Sequence, residues 1–155
     1  MRKKDLSQRA CPIARALDVV GEWWALLVVR DALLGHTKFE EFRESLDIAR
    51  NILTARLKTL TERGVLERRR YQQAPDRYEY VLTEKGRALG PVVLALAHWG
   101  NRWEGEGRAP VRMVDQETGD EVEQVLVSAR TGKRVSGKRV LPVPAPHPLV
   151  PRERS

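Results

Sequence analysis

Between positions 22 and 34 the chain reads EWWALLVVRDALL, and its apolar residues (Trp23, Trp24, Leu26, Leu27, Val28, Val29, Leu33, Leu34) fall on nearly every side of a helix. A helix that is apolar almost all round has no solvent face, so other elements must wrap it. It is too short to span a bilayer, which takes about 20 apolar residues. Whatever this chain folds into is therefore built around residues 22–34, with Gly35 as the C-terminal stop.

The preceding segment supplies one wrapping helix. Cys11-Pro12 opens it, since proline at a first helical position loses only an N–H that would be unpaired there. Ile13, Ala16, Leu17 and Val20 then recur at helical spacing up to Gly21. After the central helix, Thr37 with Glu40 three residues on reads as a capping box for a short helix with Phe39, Phe42 and Leu46 inward. A turn at Asp47-Ile48 leads to a fourth helix over 50–63, stopped by Gly64. Its stripe of Leu53, Leu57 and Leu60 faces the core, leaving Asn51, Ala55, Lys58 and Glu62 opposite, flanked by Arg50, Thr54 and Arg56. Two short helices joined by a tight turn, the second basic on its free face, form a helix-turn-helix.

A hairpin follows. Residues 65–71 and 77–82 are strand-like around a turn at 72–76, and Arg68, Arg69 and Arg70 charge both faces of the outgoing strand, which suits a protruding wing. Thr83 then caps a long helix to about Trp103, with Leu89, Val92, Leu96, Trp99 and Trp103 spaced three or four apart. Beyond a linker, GEGRAP, come short alternating segments at 111–114, 122–127 and 135–140, separated by Thr-Gly turns. The expected fold is mainly α, of the α+β class: a winged helix-turn-helix with a long C-terminal dimerisation helix and a small β-rich extension. Its parts are a DNA-binding domain over 9–104, a hairpin extension over 105–141, and a disordered proline-rich tail over 142–155.

Charge points the same way. Of the net +7, +5 lies within residues 50–77, where Arg50, Arg56, Lys58, Arg63, Arg68, Arg69, Arg70 and Arg77 face Glu62, Glu67 and Asp76. A solvated surface alternates in sign, whereas a local excess of one sign suits a polyanion. Enzymatic chemistry finds little support: His36, His98 and His147 are scattered, and no phosphate loop or nucleophile elbow occurs. The single Cys11 excludes an intramolecular disulfide and a cysteine-built zinc site, and no cofactor is expected. Without an export-type leader or membrane span, a reducing cytoplasm is the expected compartment.

The order of elements and the local wording resemble the HxlR-type winged-helix regulators, a bacterial family related to the MarR group. The phrases that carry the resemblance include Cys11-Pro12, Gly21-Glu22-Trp23, Lys38-Phe39-Glu40-Glu41-Phe42 and Leu53-Thr54-Ala55-Arg56-Leu57. Others are Gly64-Val65-Leu66-Glu67-Arg68, Pro75-Asp76-Arg77-Tyr78 and Leu82-Thr83-Glu84-Lys85-Gly86. The likeness covers about residues 9–103 and departs from the family around Glu22 and Trp24. The segment after 105 has a looser likeness to zinc-ribbon hairpins of some relatives, here without the cysteines, so no metal is expected in it.

A transcription regulator contacting double-stranded operator DNA as a homodimer is thus the expected function, not an enzyme. The fourth helix would enter the major groove. Arg50, Asn51 and Thr54 near its start would reach base edges, while Arg56, Lys58 and Arg63 would hold phosphates. Arg69, Arg70 and Arg77 would add wing contacts, and Leu96, Trp99 and Trp103 with the first helix would form the dimer interface. The resemblance further implies that Cys11 is a thiol responding to a small electrophile or oxidant. Unpaired N–H groups at a helix start favour an anion there, and the thiolate is the reactive form; Arg9 and Arg15 add positive charge nearby. A plain apolar role at a helix start is the other reading of Cys11. A protein-interaction adaptor on the same winged-helix scaffold, with only non-specific DNA affinity, is the alternative function.

Overall fold

Helix α2 (Trp23–Leu33) sits at the centre of the first of two units, packed against four other helices and a strand. The computed structural model describes residues 11–105 and 111–142, and these divide at Pro110/Val111. Residues 106–110 of the expected linker, Arg9, and residues 143–155 of the expected tail lie outside the described residues. Ala25, Val28 and Val29 of α2 are buried with Val20, Phe42, Leu46, Ile48, Leu53, Leu57, Leu60, Val65 and Leu66 as one core. The wrapping is not complete, because Trp23, in the first turn of α2, remains 88% exposed.

Around α2 lie α1 (Pro12–Val20), α3 (Phe39–Leu46) and α4 (Arg50–Glu62). The start of α3 differs from the expected box. Lys38 is the N-cap, one residue later than Thr37, so the third helical position is Glu41 and not Glu40. The Glu41 carboxylate accepts the backbone N–H groups of Thr37 (2.8 Å) and Lys38 (3.0 Å). Those two bonds, Lys38's first, hold its pKa below the ordinary value. Helix α3 ends at Asp47 in the left-handed conformation (φ 47°, ψ 45°), which a short polar side chain tolerates. Ile48, buried beside it, anchors the turn into α4.

Strands β1 (Leu66–Gln73) and β2 (Asp76–Leu82) pair antiparallel, Leu66 opposite Leu82, with Tyr71 bulged out of register. The strands run further than expected, leaving only Ala74-Pro75, joined by a cis peptide bond, at the tip. A short third pairing sets Lys38 against Glu79, and the N–H of Tyr80 donates to the Thr37 carbonyl at 2.7 Å. The wing is thereby tied to the entrance of the helix-turn-helix.

The long terminal helix is broken in two. Helix α5 (Glu84–Arg87) ends before α6 (Gly90–Trp103), because Pro91 has no N–H to continue the ladder and its ring clashes with the preceding turn. Thr83 caps α5 by accepting the Gly86 N–H (3.1 Å), while its hydroxyl donates to the Gly64 carbonyl (2.6 Å). A Cβ on Gly86 would lie 2.2 Å from the Val65 carbonyl oxygen, so only glycine lets α5 close onto the base of the wing.

In the second unit two turns repeat one hydrogen-bond pattern thirteen residues apart. In the first, Asp115 N–H donates to Asp120, Gly119 N–H to Asp115 and Val122 N–H to Met113. In the second, Ser128 donates to Lys133, Gly132 to Ser128 and Val135 to Leu126. Gly119 (φ 74°) and Gly132 (φ 66°) occupy equivalent places. Inside the first turn the Asp115 carboxylate accepts the N–H groups of Glu117 and Thr118. The faint echo of Thr-Gly in the sequence is therefore a structural repeat. Two of its alternating segments form isolated bridges, Val114 with Glu121 and Val127 with Arg134, in place of strands, and the third holds a single 3-10 turn at Gly137–Arg139.

Candidate nucleic-acid interface

The buried stripe Leu53, Leu57 and Leu60 decides what α4 presents, because everything opposite it must face outward. Asn51, Thr54, Ala55 and Lys58 are exposed there with Arg50 at the first turn. Thr54 donates its hydroxyl to the Arg50 carbonyl (2.8 Å) and Lys58 pairs loosely with Glu62 (3.8 Å). In the wing, β1 and β2 present Arg69, Arg70 and Arg77, all exposed, with Arg69 and Arg70 on opposite faces of β1.

The α4 cations do not share one environment. Arg50 lies over the Phe39 ring, 5.0 Å from its centroid, and donates to the Glu40 carboxylate at 2.5 Å. Glu40 also takes Arg43 at 2.6 Å; these bonds, Arg43's first, keep its pKa below the ordinary value. Arg56, expected with Lys58 among the phosphate contacts, is set apart from it. Its side chain is 23% exposed, reaches Glu22 at 3.7 Å, and buries an Nε with no hydrogen-bond partner. At 3.6 residues per turn position 56 lies roughly 65° from the centre of the apolar stripe, and its side chain reaches the start of α2 at Glu22. Arg63, itself exposed, pairs with the buried Asp18.

Neighbours also constrain the wing arginines. Arg69 pairs with Glu67 (3.0 Å), which lowers the Glu67 pKa, and Arg70 approaches Asp76 at 3.5 Å. Arg77 makes no ion pair among the described residues. Arg68, given no separate role by the sequence, stacks its guanidinium 3.5 Å from the centre of the Tyr78 ring. The register that sets Arg70 opposite Tyr78 makes this reachable, and a single strand read alone carries no trace of it. Glu40 and Glu22 were missed for the same reason: each meets its arginine across a turn or between helices.

Two further groups stand outside this surface. Val92, Leu96, Trp99 and Trp103 form one stripe along α6, with Trp99 at 55% and Trp103 at 63% exposure, and α6 buries no residue fully. On α1, Ile13 and Leu17 are exposed as well. Cys11 is exposed at the N-cap of α1, where its carbonyl accepts the Arg15 N–H (3.2 Å). Among the described residues no group of three or more metal-binding side chains assembles, and no helix is long and apolar enough to cross a membrane.

A family model described as HxlR-like helix-turn-helix matches residues 19–108. The chain is 35% identical over 150 residues, 94% of each chain, to the HTH-type transcriptional regulator MT3179 of Mycobacterium tuberculosis (strain CDC 1551 / Oshkosh). Among solved structures, the transcription factor PA1607 superposes with a TM-score of 0.77 at 40% identity, covering 88% of this chain and 96% of that one. The oxidised form of the redox regulator HypR gives a TM-score of 0.55 at 38% identity, over 59% of this chain and 96% of its own.

Proposed function

The chain belongs to the HxlR-like helix-turn-helix family of transcriptional regulators, and on that premise we propose that it binds a paired operator as a two-fold dimer. Binding DNA to control transcription is what such a domain does, and it is not an enzyme's work. The observation that carries the specific reading is the division of α4 into an apolar buried stripe and an exposed face of Arg50, Asn51, Thr54 and Lys58, beside a wing bearing Arg69, Arg70 and Arg77. In this reading α4 lies in the major groove. Asn51 reads an adenine edge, Arg50 and Thr54 assist at adjacent positions, and Lys58 with the wing arginines holds phosphates. Arg56, turned to Glu22, supports the helix from behind and contributes little to the phosphate contacts.

Dimerisation is supported by the apolar stripe of α6 and the exposed Ile13 and Leu17 of α1. Apolar faces of this extent on a small domain mark an interface, and a single winged helix buries too little DNA for tight specific binding. The DNA-binding domain is taken as 9–104, with 105–141 a separate metal-free extension, and the protein acts in the cytoplasm. Cys11, exposed at the start of α1, is the proposed sensor of a small electrophile or oxidant. A structural neighbour, HypR, is a redox regulator, which supports the same assignment here. With no second cysteine, an oxidised Cys11 pairs with its copy in the dimer or with a small thiol.

The test begins with sequencing the DNA fragments that co-purify with the protein. Binding to the recovered operator is then measured before and after diamide, in the native protein and in Cys11→Ser. Diamide is expected to change operator affinity in the native protein only. The same response in both proteins, or in neither, removes the sensor assignment without touching the operator reading. Failure to recover any enriched sequence removes the operator reading itself.

A further inference from the structure

We propose that the open cavity of about 390 Å³ behind the wing is a binding site for a small organic carboxylate. It lies where the end of α2 and the loop after it meet both wing strands and α5. Leu33, Tyr80, Val81 and Leu82 give it an apolar wall. His36, Arg69 and Arg87 are the ionisable side chains of that wall that carry or can acquire positive charge, and no carboxylate lines it among the described residues. The size falls within the range of small-molecule pockets, and an apolar wall with a few convergent polar groups is how such pockets orient a ligand.

The basic groups are held in place before any ligand arrives. Arg87 donates from Nη1 to the Leu82 carbonyl (2.6 Å), and Arg69 is steadied by Glu67 at 3.0 Å. Each guanidinium carries five N–H donors, so both retain donors for an anion. Behind His36 lies Asp31, 1% exposed, with one carboxylate oxygen taken by Arg30 at 2.8 Å. Its other oxygen, Oδ2, is buried without a hydrogen-bond partner, 3.7 Å from His36 Nδ1, which is buried and unpartnered too. Buried polar atoms are nearly always hydrogen-bonded, so this pair is incomplete as it stands. Between Asp31 and a bound carboxylate the His36 ring can donate from Nδ1 to Oδ2 and from Nε2 to the ligand, a small shift of the ring closing the present 3.7 Å gap. A carboxylate on the cavity side thus completes the buried pair on the other. An apolar body matches the wall, and a single charge matches the basic mouth.

Benzoate, with benzamide as its neutral isostere, tests the proposal on the full chain without DNA, so the result does not depend on the operator reading. Calorimetry is expected to give one benzoate site per chain, bound about tenfold more tightly than benzamide, as charge-assisted hydrogen bonds require. In amide NMR spectra of the unmodified protein, benzoate should shift His36, Thr37 and residues 80–82. Arg87→Gln and Arg69→Gln should each weaken benzoate several-fold, whereas Arg15→Gln, on α1, leaves it unchanged. Equal affinity for the two compounds, shifts centred elsewhere, equal loss in Arg15→Gln, or no saturation with benzoate overturns the site.

Discussion

Asp18 of α1 and Arg63 at the end of α4, 45 residues apart, meet in an ion pair of 2.6 Å with the carboxylate side chain only 5% exposed. Lys85 of α5 donates to the Arg63 carbonyl at 2.7 Å, so three helices converge on one residue. The sequence suggested a phosphate contact for Arg63, and its guanidinium, on a side chain 43% exposed, pairs with Asp18. Losing the guanidinium removes one of the groups that compensate a buried carboxylate. Arg63→Ala should therefore lower stability by about 2 kcal/mol, the lower part of the usual range because the arginine is partly solvated. Urea unfolding with an unchanged m-value checks this, and Arg63→Lys should recover part of the loss.

Lys58, Asn51 and Arg56 should separate into three behaviours on DNA. Lys58→Ala should weaken binding to every duplex and reduce the slope of log affinity against log salt by about one. Asn51→Ala should relax preference at one base pair by roughly 1–3 kcal/mol with little change in that slope. Arg56→Ala should lower the unfolding midpoint through its lost packing and Glu22 contact, leaving the slope near that of the native protein. Anisotropy titrations at four salt concentrations distinguish them. An Arg56→Ala slope reduced as much as that of Lys58→Ala would return Arg56 to the phosphate set.

Glu40 holds Arg50 away from full solvation and places a negative charge beside the proposed groove contact. Glu40→Gln should free the guanidinium, tighten DNA binding and steepen the salt slope by about one. Unchanged affinity and slope would mean that Arg50 stays on Phe39 when DNA is bound.

Acid should loosen the entrance to the helix-turn-helix through Glu41. Its folded pKa is depressed by the N–H groups of Lys38 and Thr37, so its contribution to stability is fully present above the ordinary carboxylate pKa. That contribution is lost as pH falls from the ordinary value through the depressed one. The native protein should lose stability over this interval, and Glu41→Gln, which cannot ionise, should be less stable at neutral pH and show a shallower acid loss. Parallel thermal melts from neutral pH down through the carboxylate range give the comparison, and identical pH profiles would remove Glu41 from the account.

The α6 stripe predicts a concentration-dependent assembly. Trp99→Lys combined with Trp103→Lys should give a monomer by light scattering at micromolar concentration. It should weaken binding to a paired site far more than to a single half-site, since only the dimer engages both halves. A native protein that is already monomeric under these conditions would end the dimer reading.

The sequence by itself determined the elements and their order, because the signals involved are local. A leucine stripe at Leu53, Leu57 and Leu60 orients α4 whatever surrounds it, and an all-apolar run at 23–29 demands a central place. Gly90-Pro91 already carried the break between α5 and α6, although the longer apolar periodicity masked it. Tertiary structure decided what each charge does. Arg50, Arg56 and Arg63 are one residue type on one helix, yet they meet Glu40, Glu22 and Asp18, three carboxylates on three other segments. Composition could show that residues 50–77 were basic, but not which cations remain available to a partner. That depends on their azimuth about the helix and on the carboxylates that folding brings within about 4 Å, at separations in sequence where no local pattern reaches.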